Sequence, residues 1–100
     1  MVLVPLQLVT IIAERLLEDR LLREIRALGV HGFTVTDVRG EGTRGVRASE
    51  WEGANVKIET LVAPDVAEQL VAHVAARYFQ HHAVIVYRHE AHVVRGDKYV

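Results

Sequence analysis

Two periodicities take turns along the chain. Leu6 to Ala13 is an apolar run rich in β-branched residues, which predicts a buried first strand. From Glu14 to Leu28 the apolar residues Leu17, Leu21, Leu22, Ile25 and Leu28 recur at helical spacing, with arginine and glutamate between them and Gly29 as a stop. His31 to Val38 alternates, with Phe33 and Val35 on one face and Thr34, Thr36 and Val38 on the other, as a strand with unlike faces does. Asn55 to Val62 alternates again and sets Val56, Ile58, Thr60 and Val62 opposite Lys57, Glu59 and Leu61. Pro64 suits a first helical turn, and Asp65 and Glu68 favour the positive end of the helix dipole. Val66, Leu70, Val71, Val74 and Tyr78 then form the stripe of a second helix that ends near Gln80. Ala83 to Tyr87 is a fourth strand, which Ala91 to Val94 either extends or follows as a short terminal strand; the tail Arg95 to Val100 has no assignment.

The order strand, helix, strand, strand, helix, strand predicts an α+β, ferredoxin-like βαββαβ fold, an antiparallel sheet with both helices on one face. Apolar residues stand on both sides of the strands while only two helices are available, so the bare sheet face predicts a homo-oligomer. The 100 residues, half of them hydrophobic and a quarter charged, make one domain over residues 1–100. A net charge of -1 argues against a general nucleic-acid binder. The chain has no cysteine, which excludes disulfides, thiolate zinc sites, cysteine nucleophiles and redox control through cysteine, and fits a reducing compartment. The opening Met1 to Leu6 is too short for a signal-peptide core, and charge breaks every later apolar run, so a cytoplasmic location is expected.

Candidate chemistry concentrates in Arg39-Gly40-Glu41-Gly42-Thr43-Arg44-Gly45-Val46-Arg47, three glycines and three arginines between two strands. Glycine lets backbone N–H groups converge on a ligand and arginine supplies forked donors matched to phosphate, so the segment has the chemistry of an anion site. The connection runs from Arg39 to about Ala54 without either periodicity. About fifteen residues is long for a connection in so small a domain.

Gly32-Phe33-Thr34-Val35-Thr36, Gly40-x-Gly42, a long loop, and Val56-Lys57-Ile58-Glu59 together resemble the PII signalling proteins. Gly42-Thr43-Arg44-Gly45-Val46-Arg47, Ala54-Asn55-Val56-Lys57 and Ala76-Arg77-Tyr78-Phe79 are similar to the PII-like branch associated with inorganic carbon, the SbtB-type and carboxysome-associated PII proteins. The resemblance covers nearly the whole chain. It implies a ferredoxin-like homotrimer that binds adenine nucleotides between subunits and a T-loop at about residues 39–54. It also implies that Arg44 and Arg47 hold the phosphate, and two guanidiniums at this spacing can grip one phosphate from two sides. Thr43 belongs to the same nucleotide-binding motif. Thr34 and the backbone around Gly40 and Gly42 would line the nucleoside, with Ala83 and Val84 contributing from across the subunit boundary.

Departures from the family pattern narrow the ligand. PII proteins proper carry a glycine-rich loop with a lysine after the second helix for the outer phosphates of ATP, whereas this chain has Gln80-His81-His82-Ala83. AMP, ADP or cyclic AMP is therefore expected to bind better than ATP, unless Arg88 or Arg95 substitutes. Glu41 stands where many relatives have a lysine and brings negative charge near the phosphate, or else pairs with Arg44. The resemblance implies a non-catalytic sensor of adenine nucleotide and bicarbonate that acts through its T-loop on inorganic-carbon uptake or carboxysome function. Its partners would be a membrane bicarbonate transporter or a carboxysome-related protein, the former bringing the chain to the inner membrane.

Other readings carry less weight. His81, His82, His89 and His92 invite a divalent-metal trimer of the CutA type, which shares the general fold, but adjacent histidines on a strand point to opposite faces and no carboxylate completes a chelating set. Neither a metal nor a resident cofactor is expected. Trp51, between Glu50 and Glu52, is either a partner-contacting anchor or folds back over the trimer. Tyr78 and Phe79 are core or subunit-contact residues. Ser49, His73 and Asp65 make a triad on paper only, because no nucleophile motif surrounds the serine.

Overall fold

β1, Leu3–Glu14, is the strand around which the other elements are arranged. The computed structural model describes residues 1–40 and 54–99. After β1 come a 3-10 turn at Arg15–Leu17, α1 at Glu18–Ala27, β2 at Thr34–Val38, β3 at Asn55–Val62, α2 at Pro64–Tyr78, β4 at Ile85–Val94 and a 3-10 turn at Gly96–Tyr99. The sheet order is β2-β3-β1-β4 and every neighbouring pair is antiparallel, the ferredoxin-like arrangement expected from the element order.

Strand register assigns the two faces. Val9, Ile11 and Ala13 stand opposite Thr60, Ile58 and Val56, and all six are buried on the helix-covered side. Leu21, Leu22 and Ile25 of α1 and Ala67, Leu70, Val74 and Tyr78 of α2 close this core. Ala67 replaces Val66 and Val71 in the buried stripe of α2, because positions 67, 70, 74 and 78 keep the sheet-facing phase while the two valines flank it. The helix also stops at Tyr78, whose carbonyl accepts from both His81 and His82 N–H.

Two local devices aim β2. Gly29 adopts φ 103°, and Val30 N–H donates to Ile25 O while Gly29 N–H donates to Arg26 O, a Schellman closure that ends α1. The buried Thr60 hydroxyl donates to Gly32 O at 2.6 Å and holds the approach to β2 against β3.

Strand four is longer than its apolar run suggests, since Arg88, His89 and Glu90 continue the pairing with Val9, Leu8 and Gln7. β4 is an edge strand and these side chains are exposed, so charge costs little there. The longer β4 in turn pairs with Leu3, Val4 and Pro5 and draws the start of β1 forward. Helix one starts later than its apolar spacing suggests because Glu14 is still paired with Asn55 in the sheet.

The second sheet face carries Leu6, Leu8 and Ile12 of β1, Leu61 of β3 and Ile85 and Tyr87 of β4. Neither α1 nor α2 covers it, and Ile85 and Tyr87 are 54% and 46% exposed.

Candidate functional site

The root of the 39–54 connection is formed by three pieces of chain. β2 delivers Asp37, Val38 and Arg39, β3 receives at Ala54 and Asn55, and Arg15 reaches in from the 3-10 turn after β1. Together these residues line a cleft of about 220 Å³. Arg15 Nη2 lies 2.6 Å from Asp37 Oδ1, and Arg15 N–H donates to Ala54 O at 3.2 Å. The hydrogen bond and charge of Asp37 raise the guanidinium's already high pKa.

Thr34 lies in β2 with its side chain exposed on the open face, in register with Glu59. Gly40, within the connection, is the last residue described before residue 54, and a Cβ built on it would meet nothing within 4 Å. Steric need within the described chain therefore does not explain glycine at position 40. Ala83 and Val84 are partly buried in the segment between α2 and β4, and Val84 packs against the core. Thr34 and this segment belong to opposite edges of the sheet, with β3 and β1 between them. Three strand spacings make that separation about 14 Å. One copy of the chain does not bring these candidates together. Gly42, Thr43, Arg44 and Arg47, with Glu41, Ser49 and Trp51, lie outside the described residues.

A polar cluster that the sequence pattern did not reveal joins the helices. Glu24 Oε1 accepts from the Tyr78 hydroxyl at 2.8 Å and lies 2.8 Å from His73 Nε2, while Arg20 Nε and Arg77 Nη2 approach Oε2 at 3.4 and 3.7 Å. Burial pushes the Glu24 carboxyl up, but the bonds from His73, Tyr78 and Arg20 outweigh it and hold the pKa below the ordinary value. Burial, then the Glu24 hydrogen bond and charge, push the Tyr78 hydroxyl up to about 12. His73 is thus committed to Glu24. Helical spacing identified the apolar stripe, whereas this cluster joins positions up to 54 residues apart, and no local pattern encodes that.

His89 and His92 fall on opposite faces of β4, in register with Leu8 and Pro5, and His82 lies against the Tyr78 ring with centroids 5.6 Å apart. Among the described residues no three His, Cys, Asp or Glu side chains gather to hold a metal ion. None of the helices in the described residues is long and apolar enough to cross a membrane.

A family model described as Nitrogen regulatory protein P-II matches residues 6–98. A structure from Thermus thermophilus, described as a PII-like signaling protein, is 52% identical, with 100% of both chains covered and a TM-score of 0.87. CPII from Thiomonas intermedia, bound to ADP and bicarbonate, is 25% identical over 98% of this chain and 97% of that one, with a TM-score of 0.85. GlnK of B. subtilis, in complex with ATP, is 18% identical over 87% of this chain and 82% of that one, with a TM-score of 0.60, and shares the fold. These likenesses give no support to a CutA-type metal-binding trimer.

Proposed function

The chain belongs to the P-II family of nitrogen regulatory proteins, and from that premise we propose that it is a non-catalytic, single-domain sensor whose homotrimer binds AMP, ADP or cyclic AMP in clefts between subunits. The observation that carries the cleft is the separation of candidates to opposite sheet edges, Thr34 and the loop root on β2 and Ala83 and Val84 beside β4. A cyclic assembly that sets the β2 edge of one copy against the β4 edge of the next completes the site. The bare face with Leu8, Ile12, Ile85 and Tyr87 supplies apolar surface for that assembly.

Likeness to CPII, which was solved with ADP and bicarbonate, supports the ligand class. Arg44 and Arg47 take the phosphate, with Thr43 and the backbone of Gly40 and Gly42 beside it. The turn at residues 79–84 contains no lysine or arginine to hold outer phosphates, which favours mono- and diphosphates over ATP. Phosphate bound at the loop base shifts the T-loop between partner-binding and free conformations, which requires that the ligand prefer one of them. In this reading the protein belongs to the SbtB-type, carbon-related branch. It responds to bicarbonate and regulates inorganic-carbon uptake or carboxysome function from the cytoplasm, docking at the inner membrane through a transporter.

Calorimetry with AMP, ADP, ATP and cyclic AMP, each with and without bicarbonate, tests this. Saturable binding of a mono- or diphosphate, tighter than ATP, is the expected outcome. Absence of binding by all four nucleotides sinks the sensor reading.

A further inference from the structure

Apolar residues of the open sheet face come mostly from β1 and β4, whereas Thr34 and Thr36 of β2 and Lys57 and Glu59 of β3 make the other half polar. Lys57 stands in register with Thr36, and Glu59 with Thr34. The two charges are thus neighbours on one strand face, about 7 Å apart. Both residues are half-buried in a single copy, and among the described residues neither is ion-paired. Assembly on this face removes them further from water, and a charge left there without a partner is costly.

Position along β3 decides what Lys57 meets. Asn55 is at the root of the connection, Lys57 is the next residue along on the same face, and Glu59 is level with Thr34 beyond it. Lys57 therefore lies between the end of the cleft assigned to phosphate and the end assigned to the nucleoside. We propose that Lys57 is a specificity-determining residue of the nucleotide cleft, its ammonium pairing with the phosphate nearest the ribose. The proposal rests on the nucleotide reading above and adds to it a residue that reading does not use.

A lysine suits this place. Its ammonium is a compact point charge on a flexible stem, able to meet a phosphate oxygen without the planar match that arginine needs. Lys57 and Lys98 are the two lysines of the chain, and Lys57 alone belongs to the sheet. Glu59 makes the Thr34 end of the row negative, so phosphate is attracted at Lys57 and repelled one position further on. The charge order along β3 thereby sets which way round a nucleotide lies.

The test is calorimetry of AMP and ADP with wild type, Lys57→Gln and Lys57→Arg, with native mass spectrometry to confirm that each variant assembles as wild type does. Lys57→Gln should weaken AMP and ADP by the same factor, about ten- to hundredfold, as expected for loss of a charged hydrogen bond. Lys57→Arg, which keeps the charge, should stay within about threefold of wild type. In wild type carrying isotope-labelled lysine, saturating ADP should shift the side-chain NMR signals that Lys57→Arg removes. Unchanged affinity in Lys57→Gln, equal losses in both variants, or a loss confined to ADP overturns the proposal. If Lys57→Gln fails to assemble, the wild-type lysine signals decide, and Lys57 signals unmoved by saturating ADP overturn it. Wild type that binds neither nucleotide sinks the nucleotide reading and this inference with it, whereas ADP binding that is indifferent to Lys57 sinks this inference alone.

Discussion

Tyr78 donates its hydroxyl to Glu24 Oε1 across 2.8 Å and so joins the last turn of α2 to the middle of α1. Because an ionised carboxylate only accepts, His73 must present its Nε2 proton to the same oxygen at 2.8 Å. The cluster anchors the end of α2 from which the segment leading to Ala83 and Val84 departs. Tyr78→Phe should lower stability by about 1.5–3 kcal/mol, the usual worth of a hydrogen bond to a charged group. Glu24→Ala should cost more, since it leaves the Tyr78 hydroxyl and His73 without their acceptor. Urea unfolding of both single variants and the double variant checks this, and the double variant should lose less than the two singles together.

The same cluster sets a pH dependence with opposite signs at the two ends of the scale. Glu24 has its folded pKa depressed, so its contribution is present above the unfolded carboxylate value of about 4.3 and is lost as pH falls through the folded value. Tyr78 has its folded value raised from 10.0 to about 12, so its contribution is complete below 10.0 and disappears as pH rises toward about 12. Thermal midpoints across pH should fall at both ends, and Tyr78→Phe should remove part of the alkaline fall. An alkaline limb identical in wild type and Tyr78→Phe would exclude Tyr78 as its source.

On the open sheet face, Ile85 and Tyr87 are exposed beside Ile12 and Thr10 of β1. Ile85→Glu or Tyr87→Glu should break a trimer built on this face into monomers while leaving the helix-side core intact. Light scattering coupled to size exclusion, with circular dichroism as the control for folding, reads both quantities. A variant that stays trimeric would move the interface elsewhere.

At the proposed phosphate site, Arg47→Ala should weaken ADP binding by about 1.5–3 kcal/mol if the guanidinium makes a charged hydrogen bond to phosphate, and Arg44→Ala should act in the same direction. Titration calorimetry measures it. Unchanged affinity would remove the residue from the site.

Elements with a strong period were legible in the sequence, and those governed by distant partners were not. β3 occupies the predicted Asn55–Val62 because its strict alternation encodes one buried and one partly exposed face. β4 reaches Val94 through Arg88, His89 and Glu90 because an edge strand tolerates charge that apolar pattern counts as an interruption. Gly29 announced the end of α1, and its positive φ supplies the reason. Arg15 belonged to the polar side of a helical repeat, and nothing local marks Asp37, 22 positions along the chain, as its partner. Thr34 and Val84 could be named from resemblance, but their separation to opposite sheet edges depends on topology.

Native mass spectrometry of the wild-type chain with ADP tests the central claim most directly, because it reads assembly and occupancy together. The account predicts a trimer that takes up to three ADP molecules, with no nucleotide retained by monomers. Monomers that hold ADP, or trimers that remain empty at saturating nucleotide, would contradict it.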